Sequence, residues 1–139
     1  MTKRRRSRES ALQILYQREF SRKNGQIGLA HFGEHFSLKG QDSAFLERIV
    51  QGVLEHFEEM GQLIEKYSEH WRLSRIAPID RAILRMAIFE LLYCDDIPPK
   101  ATLNEAVDLG KRYGSDNSGA FINGILDRIM HERLSKPAE

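Results

Sequence analysis

The sequence contains 139 residues, of which 41% are hydrophobic and 29% are charged, and its formal net charge is +1. This length and composition are typical of one globular domain and exclude a disordered or membranous chain. The longest apolar stretch, residues 83–93, is interrupted by Arg85 and Glu90 and is too short to span a bilayer. The charged N-terminus lacks the apolar segment of a signal peptide, and the single cysteine, Cys94, excludes an internal disulfide, so we expect a cytoplasmic protein.

The small net charge hides an asymmetry along the chain. Residues 1–23 carry eight lysines and arginines against two glutamates, a net charge of +6, so the remaining residues sum to −5. A basic end on a mildly acidic body indicates a polyanionic partner for that end. A solubilising tail without a partner would have the same composition, and the charge pattern alone does not separate the two interpretations.

The N-terminal half has helical periodicity. The first predicted helix has Ser7 as a candidate N-cap and ends at Asn24–Gly25; a short second helix follows, and Asp42 is placed to cap a third. Gly61 interrupts the pattern before a fourth helix that reaches Trp71. The apolar residues predicted to line the core from these helices are Leu12, Leu15, Tyr16, Leu29, Phe32, Phe36, Phe45, Leu46, Ile49, Val50, Val53, Leu54, Phe57, Leu63, Ile64, Tyr67 and Trp71.

The C-terminal half begins with Pro78, a residue favoured in the first turn of a helix. The stretch 79–93 is apolar on nearly every side, which predicts a central helix that is buried all round. Thr102 to Glu105 has the pattern of a capping box and predicts the start of a sixth helix, which Gly114 would end. The polar turn 115–119 then caps a seventh helix.

No strand-like alternation appears, so the predicted fold class is all-α, with about seven helices in one domain over residues 1–139. Within this domain we expect a flexible basic arm at 1–8, an N-terminal helical subdomain at 9–58 and a C-terminal helical subdomain at 62–135. The break near Gly61 is the expected boundary between the two subdomains.

Catalysis and metal binding have little support. The chain contains none of the glycine-rich phosphate loops, HExxH zinc motifs or nucleophile elbows that carry such chemistry. Cys94 lies beside Asp95 and Asp96, whose negative charges raise a thiol pKa and so disfavour a nucleophile. His31 and His35 are spaced to share a helix face, but no third metal ligand accompanies them. We therefore predict a binding protein without catalytic residues, metal or cofactor.

The basic N-terminus is the first candidate nucleic-acid contact, because a guanidinium group matches phosphate oxygens and also stacks on bases. Arg4, Arg5, Arg6 and Arg8, together with Lys3, would neutralise four or five phosphates and give a salt slope of about −3 on single-stranded RNA. DNA would suit the same composition, but the sequence has no clear helix-turn-helix element, which favours RNA.

The second candidate contact is the start of the last predicted helix, where exposed amides form an anion site. Asn117 and Ser118 offer hydrogen-bonding groups there, and Phe121, one turn further, is placed to stack on an unpaired base. An ordinary capped helix with Phe121 in the core explains the same pattern, so the role of Phe121 stays open on these grounds.

Three stretches of the chain resemble the NusB family of transcription antitermination factors. They are RRRSRESALQILYQ at 4–17, APIDRAILRMAIFELLY at 77–93 and TLNEAVDLGKRYGSDNSGAFINGILDRI at 102–129. They occur in the family's order and extend from residue 4 to residue 129, and the third is the most specific.

The resemblance implies a helical fold of two subdomains and binding to the boxA element of nascent ribosomal RNA transcripts. It implies NusE, a ribosomal protein of the small subunit, as a partner. The pair would be loaded onto RNA polymerase with NusA and NusG, and the complex would make transcription of ribosomal RNA resistant to termination. The resemblance does not settle the oligomeric state, and a homodimer stays open.

The resemblance also implies functional positions. The RNA-contacting positions of the family correspond to Arg4, Arg5, Arg6, Arg8, Asn117, Ser118 and Phe121, and its NusE-facing positions correspond to Tyr16 and Asp80. Two departures bear on the RNA site: Asn117 stands where many members have an acidic residue, and Ala120 stands where a lysine is common. The first would repel phosphate less and the second removes a phosphate contact, so RNA sequence preference is harder to predict than RNA binding.

Two alternatives stay open. A NusB-like domain also begins some RNA cytosine methyltransferases, but those chains continue into a cofactor-binding α/β domain, and this sequence ends at Glu139 without its glycine-rich motif. The other alternative is a helical protein–protein adaptor with a passive arginine arm. A nucleic-acid binding assay would separate that adaptor from an RNA-binding factor.

Overall fold

The computed structural model describes residues 3–20, 42–69 and 71–134. Within these ranges the chain forms six α-helices and no strand, in agreement with the predicted all-α class. The helices are α1 (Lys3–Arg18), α2 (Ser43–Glu55), α3 (Phe57–Tyr67), α4 (Pro78–Tyr93), α5 (Pro99–Tyr113) and α6 (Ser118–Ile129), with a 3-10 turn at Leu73–Arg75 and a π-helical turn at Met130–Leu134. The predicted helix around Leu29, Phe32 and Phe36 lies outside the described residues.

Helix α4 is the centre of the fold, as its sequence predicts. It packs against each of the other five helices, and its apolar side chains are buried on all sides, among them Ile83, Leu84 and Ile88. Pro78 begins the helix, where its fixed φ suits the first turn and its missing N–H has no partner to lose. Each fully buried aliphatic side chain contributes roughly 1.5–3 kcal/mol, so α4 organises the core that positions the surface helices. None of the described helices is long and apolar enough to cross a membrane.

The N-terminal segment is helical from Lys3 onward, within the stretch 1–8 where we expect a flexible arm. Helix α1 begins at Lys3, and Ser7 is buried inside the helix rather than capping it. The Ser7 hydroxyl lies 3.0 Å from the carbonyl oxygen of Asp42 and accepts a hydrogen bond from the Asp42 N–H at 2.9 Å. Arginine is a good helix former, and this contact with the beginning of α2 fixes the first turns of α1. Asp42 caps α2, as predicted, by accepting from the Phe45 N–H at 3.0 Å.

One glycine and one aromatic residue take different places from those predicted. Gly61 lies inside α3, and the chain breaks instead at His56, between α2 and α3. A Cβ at Gly61 would lie 3.0 Å from the Arg85 guanidinium, so this glycine permits a close approach. The boundary expected near Gly61 thus falls inside α3, and the division into two subdomains stays a prediction. Trp71, predicted in the core, is 54% exposed, because α3 ends before it and the chain turns at Glu69, whose φ is +48°.

The predicted capping box at Thr102 to Glu105 is wrong. Helix α5 already begins at Pro99, because proline is suited to the first helical position. Thr102 and Glu105 therefore lie inside the helix, where their side chains bind residues of other helices. Gly114 ends α5, as predicted, but its φ of −96° is not left-handed. A glycine is needed there because a Cβ would collide with the Ser118 side chain.

Candidate nucleic-acid interface

The arginines at the start of α1 differ in how far they reach solvent. Arg6 is exposed, Arg4 and Arg5 are half-buried, and Arg8 is buried. The difference follows from helical geometry, because successive side chains point in different directions and this helix is packed on one side. In the sequence these arginines form one basic run, but in the fold they differ in exposure and in their neighbouring side chains.

Arg8 belongs to a buried hydrogen-bonded network. The residue is 6% exposed, and its Nε and Nη2 donate to the two carboxylate oxygens of Glu90 at 2.9 and 2.7 Å. Glu90 is 2% exposed and also accepts from the Thr102 hydroxyl at 2.9 Å. The Arg8 guanidinium lies 5.0 Å from the centre of the Phe45 ring. This bidentate ion pair is buried and its hydrogen bonds are made within the protein. Arg8 therefore connects α1 to α4 and α5 and does not face a ligand.

Arg5 is paired with two carboxylates of α5. Its Nε donates to Glu105 at 2.9 Å, and its Nη2 donates to Asp108. The hydrogen bond with Glu105 is the main reason why the pKa of Arg5 is raised. These carboxylates neutralise much of the positive field that Arg5 would otherwise present to RNA.

Arg4 has a looser environment. Its guanidinium lies 3.9 Å from a carboxylate oxygen of Asp42 and 3.9 Å from one of Asp96. Lys3 and Arg6 are exposed, and neither forms an ion pair with any residue in the described ranges. The unneutralised positive charge of this helix end is therefore concentrated on Lys3 and Arg6.

Glu9 connects the basic end of α1 to the turn that precedes α6. Its carboxylate lies 3.1 Å from an Arg112 guanidinium nitrogen and accepts a hydrogen bond from the Tyr113 hydroxyl. This hydrogen bond is the largest cause of the raised pKa of Tyr113. Arg112 and Tyr113 are the last residues of α5, directly before the turn that contains Asn117. The two candidate RNA contacts are thus joined by side chains on one side of the molecule.

Within that turn, Asn117 and Ser118 have different roles. Ser118 is buried, and its hydroxyl accepts from the Ser115 N–H at 2.9 Å, which holds the turn closed. Asn117 is the N-cap residue of α6, is exposed, and makes no capping hydrogen bond with its side chain. Asn117 is therefore the residue of this pair whose polar groups face solvent.

Phe121 is half-buried against the core and lies between two cavities. The first cavity, of about 260 Å³, is lined by Trp71, Arg75, Asp80, Asn117 and Phe121 among others. The second, of about 200 Å³, is again lined by Trp71 and Phe121, together with Arg128. Sequence reasoning missed Trp71 and Arg75 as site residues. The available signal was a lone tryptophan followed by two arginines after the apolar stripe of α3 had ended.

Asp80 lies in the first turn of α4 and faces this first cavity. The residue is 7% exposed, and its Oδ1 is closed to solvent and has no hydrogen-bond partner in the described part of the chain. Burial raises the pKa of Asp80, and a hydrogen bond with Ser118 opposes this shift. An unpartnered carboxylate oxygen is unfavourable in a low-dielectric site and is suited to accept a donor from a ligand.

Comparison with known proteins places these features in one family. The profile of the NusB family matches residues 5–131. The chain belongs to the NusB family. It is 44% identical to the transcription antitermination protein NusB of Desulfosudis oleivorans over 135 residues, which cover 95% of this chain and 88% of the relative.

Solved structures agree with this assignment. T. maritima NusB matches with a TM-score of 0.81 at 39% identity, over 95% of this chain and 94% of that one. A chain from a structure of the antitermination factors NusB and NusE in complex with dsRNA matches with a TM-score of 0.81 at 26% identity. That match covers 91% of this chain and 95% of the other.

Of the two positions expected to face a partner in NusB proteins, Tyr16 is exposed and Asp80 is buried. The Tyr16 ring meets the exposed ring of Phe20 edge-on, with 5.2 Å between ring centres. Next to Phe20, Glu19 accepts a hydrogen bond at 2.9 Å from Arg81, the residue after Asp80. The aromatic end of α1 therefore lies beside the beginning of α4, and Asp80 itself faces the cavity.

Cys94 is buried, and burial is the main cause that raises its pKa to about 11. Within the described ranges, no group of three or more His, Cys, Asp or Glu side chains is arranged to hold a metal ion. His31 and His35 lie outside the described residues.

Proposed function

We propose that this NusB-family protein is a transcription antitermination factor of the cytoplasm that binds boxA RNA together with NusE. The pair joins RNA polymerase with NusA and NusG during transcription of ribosomal RNA. The observation that carries the proposal is the family match over residues 5–131. The proposal also draws on the chain of the NusB–NusE–dsRNA structure that this protein resembles over most of its length.

The geometry supports a division of labour among the candidate RNA residues. Lys3 and Arg6 are the exposed cations that meet phosphates, and Arg4 is available once RNA competes with its distant carboxylates. Asn117 offers hydrogen bonds at the beginning of α6, where the helix dipole favours an anion. Arg5 remains paired with Glu105 and Asp108, so it adds less positive charge to this surface than its position in the sequence suggests.

Arg8 and Ser118 position this surface without touching RNA, because both are buried and hydrogen-bonded within the protein. Among the described residues, Lys3 and Arg6 are the cations of this helix end without an ion pair, which is fewer than the four or five contacts that the sequence predicts. At about 0.7 per neutralised phosphate on single strands, these two residues contribute about −1.4 to the salt slope, and Arg4 adds to this where RNA displaces its carboxylates.

NusE binds the exposed aromatic end of α1, at Tyr16 and Phe20. Two exposed rings in edge-on contact form an apolar patch of the kind that anchors protein interfaces. The acidic body of the chain adds electrostatic attraction to a basic ribosomal protein. Changing Tyr16→Asp would place a charge in this patch, and NusE affinity is expected to fall with no change in the binding of RNA by the protein alone.

A titration of labelled boxA RNA tests the proposal. The RNA is titrated with this protein, with NusE, and with an equimolar mixture, and binding is followed by fluorescence anisotropy. The proposal predicts a lower dissociation constant for the mixture than for either protein. Equal affinities for the mixture and the tighter single protein would contradict it.

A protein–protein adaptor without direct RNA contacts is the second candidate, and the internal pairing of Arg5 and Arg8 favours it. The adaptor would bind NusE but leave the RNA affinity of NusE unchanged. Ultraviolet crosslinking of boxA RNA within the ternary mixture separates the two, because only the proposed function places RNA on Arg6 or Asn117.

A further inference from the structure

A further cavity, of about 430 Å³, is lined by residues from the end of α1, from α3, from the 3-10 turn and from α4. Four arginines and two glutamates line it, so its lining has an excess of two positive charges. None of its lining residues belongs to the RNA contacts or the NusE patch proposed above. We call it the arginine cavity after its four arginines, Arg18, Arg72, Arg81 and Arg85.

Two of these arginines share one carboxylate. Arg81 and Arg85 each donate from Nε to a different oxygen of Glu19, both at 2.9 Å, and the Glu19 side chain is 2% exposed. Two guanidinium groups with one carboxylate leave a positive charge where little water reaches. Burial lowers the pKa of Arg85 despite the opposing attraction of Glu19. The single carboxylate therefore does not fully compensate the buried charge, and an additional anion would stabilise it.

The other two arginines offer hydrogen-bond donors to a ligand. The Arg18 guanidinium lies 4.0 Å from the centre of the Phe57 ring, a cation–π contact that leaves its N–H groups available. Arg72 is exposed, and neither Arg18 nor Arg72 forms an ion pair with a residue in the described ranges. The second carboxylate of the lining, Glu65, accepts a hydrogen bond from the Leu73 N–H at 2.9 Å.

We propose that the arginine cavity binds the phosphate group of a small phosphorylated molecule, with Arg18 and Arg72 as the donors. A phosphate monoester carries a charge of about −1.5 to −2 at pH 7, which matches the excess charge of the lining. The forked donors of a guanidinium group bind phosphate oxygens in pairs. The volume lies within the range of small-molecule sites, roughly 300–1,000 Å³, and leaves room for an organic group beside the phosphate.

A purely structural role would need fewer cations. Attaching the end of α1 to α4 requires only Glu19 and one arginine, and each additional cation near this pair repels the others. Arg18 and Arg72 line the same cavity as Arg81 and Arg85, without a carboxylate of their own in the described ranges. This accumulation of positive charge is unfavourable in the empty cavity and favourable when a dianion is bound.

Isothermal titration calorimetry with ribose 5-phosphate tests the proposal, because this probe carries a phosphate monoester and no base. Ribose is the control without the phosphate, and both titrations use the same chloride concentration. We expect one ribose 5-phosphate to bind per chain and ribose not to bind.

Three variants locate the bound phosphate. Arg18→Gln and Arg72→Gln should each weaken binding about tenfold, as the loss of one hydrogen bond to a charged group allows. Arg72 is exposed, so Arg72→Gln should keep the fold even if Arg18→Gln does not. The matched control is Arg75→Gln, which changes another exposed arginine of the same segment. Because Arg75 lines the cavity beside Trp71 instead, this control should leave the affinity unchanged.

The outcomes separate this site from the proposed antitermination function. The absence of saturable ribose 5-phosphate binding by the wild type would overturn the phosphate site, whatever the protein does with boxA RNA and NusE. Binding that Arg72→Gln leaves unchanged, or that Arg75→Gln weakens equally, would place the phosphate elsewhere and would also overturn it. Saturable binding that Arg72→Gln weakens and Arg75→Gln does not would establish the site even if boxA binding failed.

Discussion

Exchanging Arg8 for methionine should damage the fold and leave the phosphate contacts intact. Arg8→Met removes both donors from Glu90, which is 2% exposed and would keep only the Thr102 hydroxyl. Removing one partner of a buried ion pair costs about 3–5 kcal/mol, because the other charge is left unpaired. Since domains of this size are stable by about 5–15 kcal/mol, this loss should appear as a large drop in the free energy of unfolding.

The matched control is Arg6→Gln, which changes an exposed arginine two residues earlier on the same helix. A surface change of this kind shifts the free energy of unfolding by no more than about 0.5 kcal/mol. The salt slope of RNA binding should flatten by about 0.7 in Arg6→Gln and stay unchanged in Arg8→Met. The double variant Arg8→Met/Glu90→Leu should recover most of the stability, because it no longer buries a lone charge.

Urea unfolding followed by circular dichroism gives the free energies, and anisotropy titrations at four salt concentrations give the slopes. We expect Arg8→Met to lower the free energy of unfolding without changing the salt slope, and Arg6→Gln to flatten the salt slope without changing the free energy of unfolding. If Arg8→Met unfolds with the wild-type free energy and flattens the salt slope, then Arg8 contacts phosphate, and the structural role assigned to the network is refuted.

Three further predictions concern stability and reactivity. Gly52→Ala should lower the free energy of unfolding by about 1–3 kcal/mol, because its methyl group would overlap the Phe89 ring, whereas Gly124→Ala, with open space around it, should raise it by about 0.5–1 kcal/mol. A stabilised Gly52→Ala or a destabilised Gly124→Ala in urea unfolding would contradict these environments. Burial raises the pKa of Asp80 in the folded protein above its usual value of 3.8. The free energy of unfolding of the wild type relative to Asp80→Asn should therefore be highest at pH 3.5 and fall towards pH 7, as the carboxyl group ionises in the folded protein. A rise over the same range would contradict burial as the cause of the raised pKa. With a pKa of about 11 and a buried sulfur, Cys94 should react with a thiol reagent at pH 8 only when the protein unfolds; a reaction at the rate of a free thiol would show that the site opens.

Features of the fold that depend on residues close together in the chain were predicted from the sequence. The cap at Asp42, the helix start at Pro78 and the buried α4 each follow from residues within one or two turns. Such features are fixed by backbone hydrogen bonding and by the period of apolar side chains, which a single sequence displays directly. The capping box at Thr102 failed because the proline pair upstream started the helix earlier.

The candidate site was harder to predict because its residues are brought together from distant parts of the chain. The partner of Arg8 is 82 residues away, so a run of arginines looks like a free basic arm until the opposing carboxylate is placed. The apolar pattern of α3 predicts that Trp71 is a core residue if the helix continues past Tyr67. Because α3 ends at Tyr67, Trp71 lies at the surface instead. The sequence identified Asn117 and Phe121 as candidates, but only the fold places Asp80 in the same cavity.

We propose that this NusB-family protein binds boxA RNA selectively when it is paired with NusE. The most direct measurement is the ratio of dissociation constants for boxA and for a scrambled RNA of equal length, obtained with the equimolar pair at one physiological salt concentration. We expect tighter binding of boxA than of the scrambled RNA by the pair, and a smaller ratio for either protein alone. Equal affinities of the pair for boxA and for the scrambled RNA would contradict it.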